Sequence, residues 1–129
     1  MRPEHRFSKD LRKTLGEYGC LALAIETGPT NRGVPDLFVA KHGASGWIEL
    51  KIIAPHQRKE PLTAIQIKRQ AEMKTFGVLV LNAHDVRDAQ DRNVEYRLLW
   101  PHGLQESFVT LYELAEQISS ILFVEANRV

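Results

Sequence analysis

A chain of 129 residues, 43% apolar and 26% charged, is long enough to bury a core and has the balance of an ordinary globular protein, so one folded unit, 1–129, is expected. No apolar run approaches the ~20 residues that cross a membrane, Met1 to Arg6 has no signal-peptide segment behind it, and Cys20, the only cysteine, excludes an intrachain disulfide and a cysteine-built zinc site. The net charge of +1 hides an asymmetry: residues 1–74 carry 13 Lys and Arg against 8 Asp and Glu, residues 75–129 carry 4 against 8, so a phosphate backbone is drawn to the first half.

Pro3 can open a helix at its first turn, and Phe7, Leu11, Leu15 and Tyr18 repeat at helical spacing until Gly19 stops it. Ser8 is an alternative N-cap. Glu4, three residues before Phe7, lies on the apolar face; Glu17 does not. Leu21 to Thr27 reads as a strand that includes Glu26, and residues 28–33 as a loop in which Arg32 could meet a phosphate.

Two apolar strands follow, Val34 to Ala40 and Trp47 to Ile53, with His42-Gly43-Ala44-Ser45-Gly46 as turn chemistry between them. Asp36, Glu49 and Lys51 interrupt these strands, where a charge is expensive unless it is paired or binds a metal. Glu49 and Lys51, two apart, share a face. A hairpin folded near Gly43 puts Asp36 opposite either Glu49 or Lys51, and both registers have the same parity, so all three share that face. Carboxylates roughly 5–8 Å apart at Cβ can hold one hard divalent cation between them.

Residues 55–61, bracketed by prolines, form a polar loop whose Arg58 and Lys59 leave the strand beside these charges. Thr63 caps a helix to about Thr75 that carries Lys68 on its surface; Gln66 in its first turn could serve the site or close a capping box with Thr63. Val78 to Asn82 is a continuous apolar strand, buried on both faces and parallel to the strand before the helix. Ala83 to Asn93 reads as an acidic loop or short helix, and Val94 to Trp100 as a strand ended by Pro101-His102-Gly103. Leu111, Leu114, Ala115, Ile118, Ile121 and Leu122 stripe a final helix, wide enough to cover the sheet and leave a dimer face.

Pro35-Asp36 followed by Glu49-Leu50-Lys51 resembles the PD-(D/E)xK nuclease superfamily. The run Arg32 to Leu37 is similar to its virus-type replication-repair nuclease (VRR-NUC) branch, which includes small stand-alone phage proteins. Leu62-Thr63-Ala64-Ile65-Gln66 resembles the Leu-(Ser/Thr)-x-x-Gln helix start of that branch. The resemblance implies an α/β, restriction-endonuclease-like mixed sheet flanked by helices, with the site on an antiparallel hairpin. It implies a DNA endonuclease of a bacterial or phage-infected cytoplasm, selective for junctions or flaps and of the Holliday junction resolvase kind, working as a homodimer. Asp36, Glu49 and the Leu50 carbonyl would hold Mg²⁺ or Mn²⁺. Lys51 would orient the attacking water, and Gln66 would position a water or a carboxylate. Glu4 matches the family's N-terminal helix glutamate, although a first-turn glutamate is also favoured by the helix dipole. Arg32, Arg58, Lys59 and Lys68 would contact DNA. The alternative is a nucleic-acid-binding module of the same fold that has lost catalysis.

Overall fold

The structure, a computed structural model, describes residues 2–26, 32–100 and 103–128. Its elements in chain order are α1 (Pro3–Glu17), β1 (Leu21–Ala24), β2 (Leu37–Lys41), β3 (Ala44–Ile53), α2 (Ala64–Thr75), β4 (Val80–Arg87), β5 (Asn93–Leu99), β6 (Gln105–Phe108) and α3 (Leu111–Ala126). The strands form one six-stranded sheet in sequence order. Every neighbouring pair is antiparallel except β3 and β4, whose parallel pairing is what the crossover helix α2 permits.

The register sorts the sheet into two faces. Leu37 opposes Ile48, Ile48 opposes Leu81, Leu50 opposes Ala83, and Ala83 opposes Leu98. These side chains make the main core with Phe7, Leu11 and Leu15 of α1 and Leu114, Ala115, Ile118, Ile121 and Leu122 of α3. Each Leu here that loses all its exposure contributes about 1.5–3 kcal/mol. Alternation sends Glu49, Lys51, Asn82, His84 and Arg97 to the other face, where α2 packs along β4 and itself buries no residue. The face opposite the core is therefore polar at its centre and thinly covered.

Helix α1 begins at Pro3 with Pro in its first turn, so Ser8 is not its cap. Helix α2 matches the expected bounds, capped by Thr63. Strand β1 stops at Ala24; Thr27 and residues 28–31 of the expected strand and loop lie outside the described residues, as do Pro101 and His102.

Two expectations are corrected, and one strand was not expected at all. The hairpin turn is two residues, not five, and β3 starts at Ala44, because His42 (φ 59°) and Gly43 (φ 87°) suffice for the left-handed turn that matches strand twist. Residues 83–87 are not loop or helix but the continuation of β4. Asp85, 1% exposed, is tolerated there because Arg87 pairs with it at 2.9 Å and the Asn93 amide donates to it at 2.7 Å. Strand β6, too short and polar to signal itself in the sequence, closes the sheet edge.

The α3 stripe is also consumed. Leu114, Ile118, Ile121 and Leu122 are buried in the monomer and Leu111 is half-buried, so that row offers no face for a second copy. The apolar side chains that remain exposed on α3 are Tyr112, Phe123 and Val124.

Candidate active site

The hairpin β2–β3 places the charges. Its register ends at Leu37 opposite Ile48; one residue further in the same register, Asp36 faces Glu49. Of the two registers the sequence allows, this one brings the two carboxylates together. Asp36 is anchored twice: the Ile25 N–H donates to its carbonyl at 2.9 Å, and its Oδ2 accepts the Leu50 N–H at 2.9 Å. A strand residue directs its N–H and C=O to the same side, so the Leu50 carbonyl faces the edge where Asp36 sits. Upstream, Gly33 has φ +83°, and a Cβ there would lie 2.8 Å from the Ile65 carbonyl oxygen. Only glycine lets the lead-in to Asp36 press this closely on α2.

Glu49 is 1% exposed, and its Oε1 has no hydrogen-bond partner. Burial, then the hydrogen bond and charge of Asp36, push its carboxyl up to about 9, with Lys51 pulling the other way. Two carboxylates this close retain a proton between them when no other positive charge joins them. An orphaned buried oxygen beside a second carboxylate and a free-facing carbonyl is an all-oxygen donor set, and it fits Mg²⁺ or Mn²⁺. Among the described residues no group of three His, Cys, Asp or Glu is placed to hold a metal, so the expected ligand Glu4 does not close such a cluster.

Glu4 is exposed and lines a cavity of about 350 Å³ with Arg12, Glu26, Asp36 and Leu50. The cavity opens at the mouth of the hairpin, between α1 and the end of β1. Glu26, which the sequence marked only as part of a strand, thus brings a further carboxylate to the same space as Asp36.

Gln66 closes the capping box, one of the two roles its position allowed. Its amide oxygen accepts the Thr63 N–H at 2.9 Å and its own N–H donates to the Thr63 hydroxyl at 3.2 Å, a complete capping box. One turn later Gln70 makes the contact to the sheet: it exchanges two amide hydrogen bonds, 2.8 and 3.0 Å, with Asn82, the residue opposite Glu49 on β4. The pair fixes α2 beside the carboxylates. Helical spacing from Gln66 could have suggested Gln70, but its partner lies on a strand position where the sequence shows only a lone Asn.

Lys51 is half-buried and opposes His84, and His84 opposes Arg97, giving a row of three nitrogen-bearing side chains across β3, β4 and β5. His84 is held down to about 4, by burial first and then by the cations Arg97 and Lys51, with Glu60 opposing; it is neutral near pH 7. Sequence reasoning missed it because residue 84 fell in the expected loop. Arg58 and Lys59 are exposed on the loop that borders this row. Arg32 and Lys68 are exposed, Arg32 in the turn before Asp36 and Lys68 on α2.

No family model matches the chain, and no curated protein matches it. Among solved structures it is similar to Archaeoglobus fulgidus Hjc, a Holliday junction resolvase from an archaeal hyperthermophile, with a TM-score of 0.56 at 13% identity over 86% of this chain and 98% of that one. The fold is therefore restriction-endonuclease-like α/β, a mixed sheet flanked by helices. No helix among the described residues is long and apolar enough to cross a membrane.

Proposed function

We propose that this chain, acting as one nuclease unit of the VRR-NUC kind, is a divalent-metal-dependent DNA endonuclease selective for branched DNA. The observation that carries the reading is the buried Glu49 carboxylate, one oxygen unpartnered, beside Asp36, with Lys51 on the same strand face. Support for the substrate class comes from the fold shared with a Holliday junction resolvase and from the basic first half of the chain.

Asp36, Glu49 and the Leu50 carbonyl would hold the cation. When bound, Mg²⁺ or Mn²⁺ neutralises charge on the scissile phosphate and makes a water more acidic. Asp36 is kept in place by the Leu50 N–H, so its other oxygen remains available. Glu49, freed of its proton in that state, accepts from a water. Lys51 brings an ammonium to the phosphate as it gains charge and orients the attacking water. Asn82, clamped by Gln70, holds α2 to the sheet beside Glu49. Glu4 and Glu26, across the cavity from Asp36, can take water-mediated contacts on the same side. Arg32, Arg58, Lys59 and Lys68 contribute contacts to the phosphate backbone.

A four-way junction presents two symmetric strands, so the reading includes a homodimer with two sites. The test is incubation with Mg²⁺ or Mn²⁺ and labelled linear, flapped and four-way DNA, beside the Glu49→Gln protein. Cleavage of branched DNA that the variant lacks is the expected result. Metal-independent binding with no cleavage by either protein would instead favour an inactive nucleic-acid-binding module, and equal cleavage by both would overturn the assignment of Glu49.

A further inference from the structure

Beyond the carboxylates, the face opposite the core holds a second concavity. It has a volume of about 240 Å³ and is lined by Arg58, Lys59 and Glu60 of the proline-bracketed loop, His84 of β4, Arg97 of β5 and Gln105 of β6. His84 is 5% exposed, and its Nδ1 and the Arg97 Nε are buried without a hydrogen-bond partner. Such groups are costly unless something accepts from them or donates to them. The other end of Arg97 is occupied: its Nη2 pairs with Glu95 at 3.0 Å and donates to the Pro55 carbonyl at 3.4 Å. The cations around the space are Arg58, Lys59 and Arg97, with Lys51 behind His84; the carboxylates are Glu60 and Glu95.

The geometry points to an oxyanion site in this concavity that takes a backbone phosphate of the DNA strand being cut, with Arg97 and His84 donating from the floor and Arg58 and Lys59 from the rim. A neutral imidazole can present N–H from Nδ1, and a guanidinium edge suits the tetrahedral oxygens. The position fits the role. Lys51, His84 and Arg97 lie in register on three adjacent strands, so the floor lies one to two strand spacings, about 5–10 Å, from Lys51. A phosphate held there fixes the strand that crosses the carboxylates, a few nucleotides from the bond to be broken.

This site rests on the nuclease reading for its ligand's source, but its test does not require cleavage. In metal-free buffer with a chelator, the full-length protein is titrated with inorganic phosphate and, separately, with a duplex oligonucleotide, while the imidazole nitrogens of His84 and the Arg97 Nε–H are followed by ¹⁵N NMR. Both ligands are expected to shift both signals, and DNA is expected to displace phosphate. Shifts with phosphate that DNA does not compete away would overturn the backbone assignment; no shift with either would overturn the site.

Two variants give an independent reading by metal-free DNA affinity. Arg97→Gln should weaken binding about ten-fold and lower the log–log salt slope by about 0.9, one phosphate contact. Glu95→Gln, which releases Arg97 from its carboxylate, should tighten binding. An Arg97→Gln protein that stays folded with the affinity and slope unchanged refutes the proposal; if that variant does not fold, the titration of the unaltered chain decides. Failure of this site in an active nuclease leaves the nuclease standing, and a working phosphate site in a protein that cuts nothing overturns only the nuclease.

Discussion

Glu49 and Lys51 lie two residues apart on one strand face, and their surroundings set opposite demands. Glu49 has one oxygen with no partner and a carboxyl raised from 4.5 to about 9. A raised carboxyl favours folding while it stays protonated, so without metal its contribution is complete below 4.5 and is lost as pH climbs through about 9. His84 works in the other direction: held from 6.5 down to about 4, it supports the fold above 6.5 and ceases to as pH falls through about 4. Chemical denaturation in chelator across this range should show stability falling on the alkaline side. Glu49→Gln should flatten that side alone, and added Mn²⁺ should restore the native protein only. An alkaline limb that survives Glu49→Gln would mean that other groups set it. Lys51 is assigned to the phosphate and the water, not to the cation. Lys51→Ala should therefore lose most of the cleavage rate and still bind Mn²⁺ by calorimetry; loss of Mn²⁺ binding would show that the ammonium holds the carboxylates together instead.

Elements whose own residues specify them were legible in the sequence, and those that depend on distant partners were not. Phe7, Leu11 and Leu15 gave α1, and Thr63 with the following pattern gave α2, because helical spacing and caps are local signals. The hairpin was legible from its alternating apolar residues and from Gly43. The second half of β4 was hidden because Asp85 reads as a loop residue; in the strand it is held by Arg87, two residues on, and by Asn93 of β5, a partner that only the folded sheet brings to it. The candidate site was legible on the hairpin, where Asp36, Glu49 and Lys51 are local to two strands. It was not legible where α2 meets the sheet, since the Gln70–Asn82 contact depends on how the crossover packs. This separates two glutamines by experiment. Gln66→Ala removes only the half of the capping box that accepts the Thr63 N–H and should lower stability slightly, with cleavage per folded molecule unchanged. Gln70→Ala leaves Asn82 unpaired beside Glu49 and should lower cleavage as well. Denaturation and single-turnover rates on both proteins check this, and a Gln66→Ala protein that is stable but inactive would return Gln66 to the site.

At the scale of the whole molecule, assembly is the property the sequence pointed to by a route the fold does not take. The wide stripe on α3 suggested a surplus apolar face, but α1, α3 and the sheet use it together: Leu114, Ile118 and Leu122 have no exposure left. Leu114→Ala should accordingly cost about 2–5 kcal/mol as a core cavity, at every protein concentration and without a change in association. A homodimer, if a branched substrate is cut on two strands, must be built elsewhere. Exposed apolar side chains stand on edge strand β1, at Leu21 and Leu23, and at the end of α3, at Phe123 and Val124. Sedimentation equilibrium at micromolar concentration reads assembly directly, and the expectation is a mass of twice 14.7 kDa that falls toward the monomer on dilution. A mass that stays near 14.7 kDa at all concentrations, with and without four-way DNA, would remove the dimer and with it the paired-cut form of the reading. The carboxylate chemistry needs only one chain, so nicking of flapped or linear DNA by that monomer would then be the activity to measure.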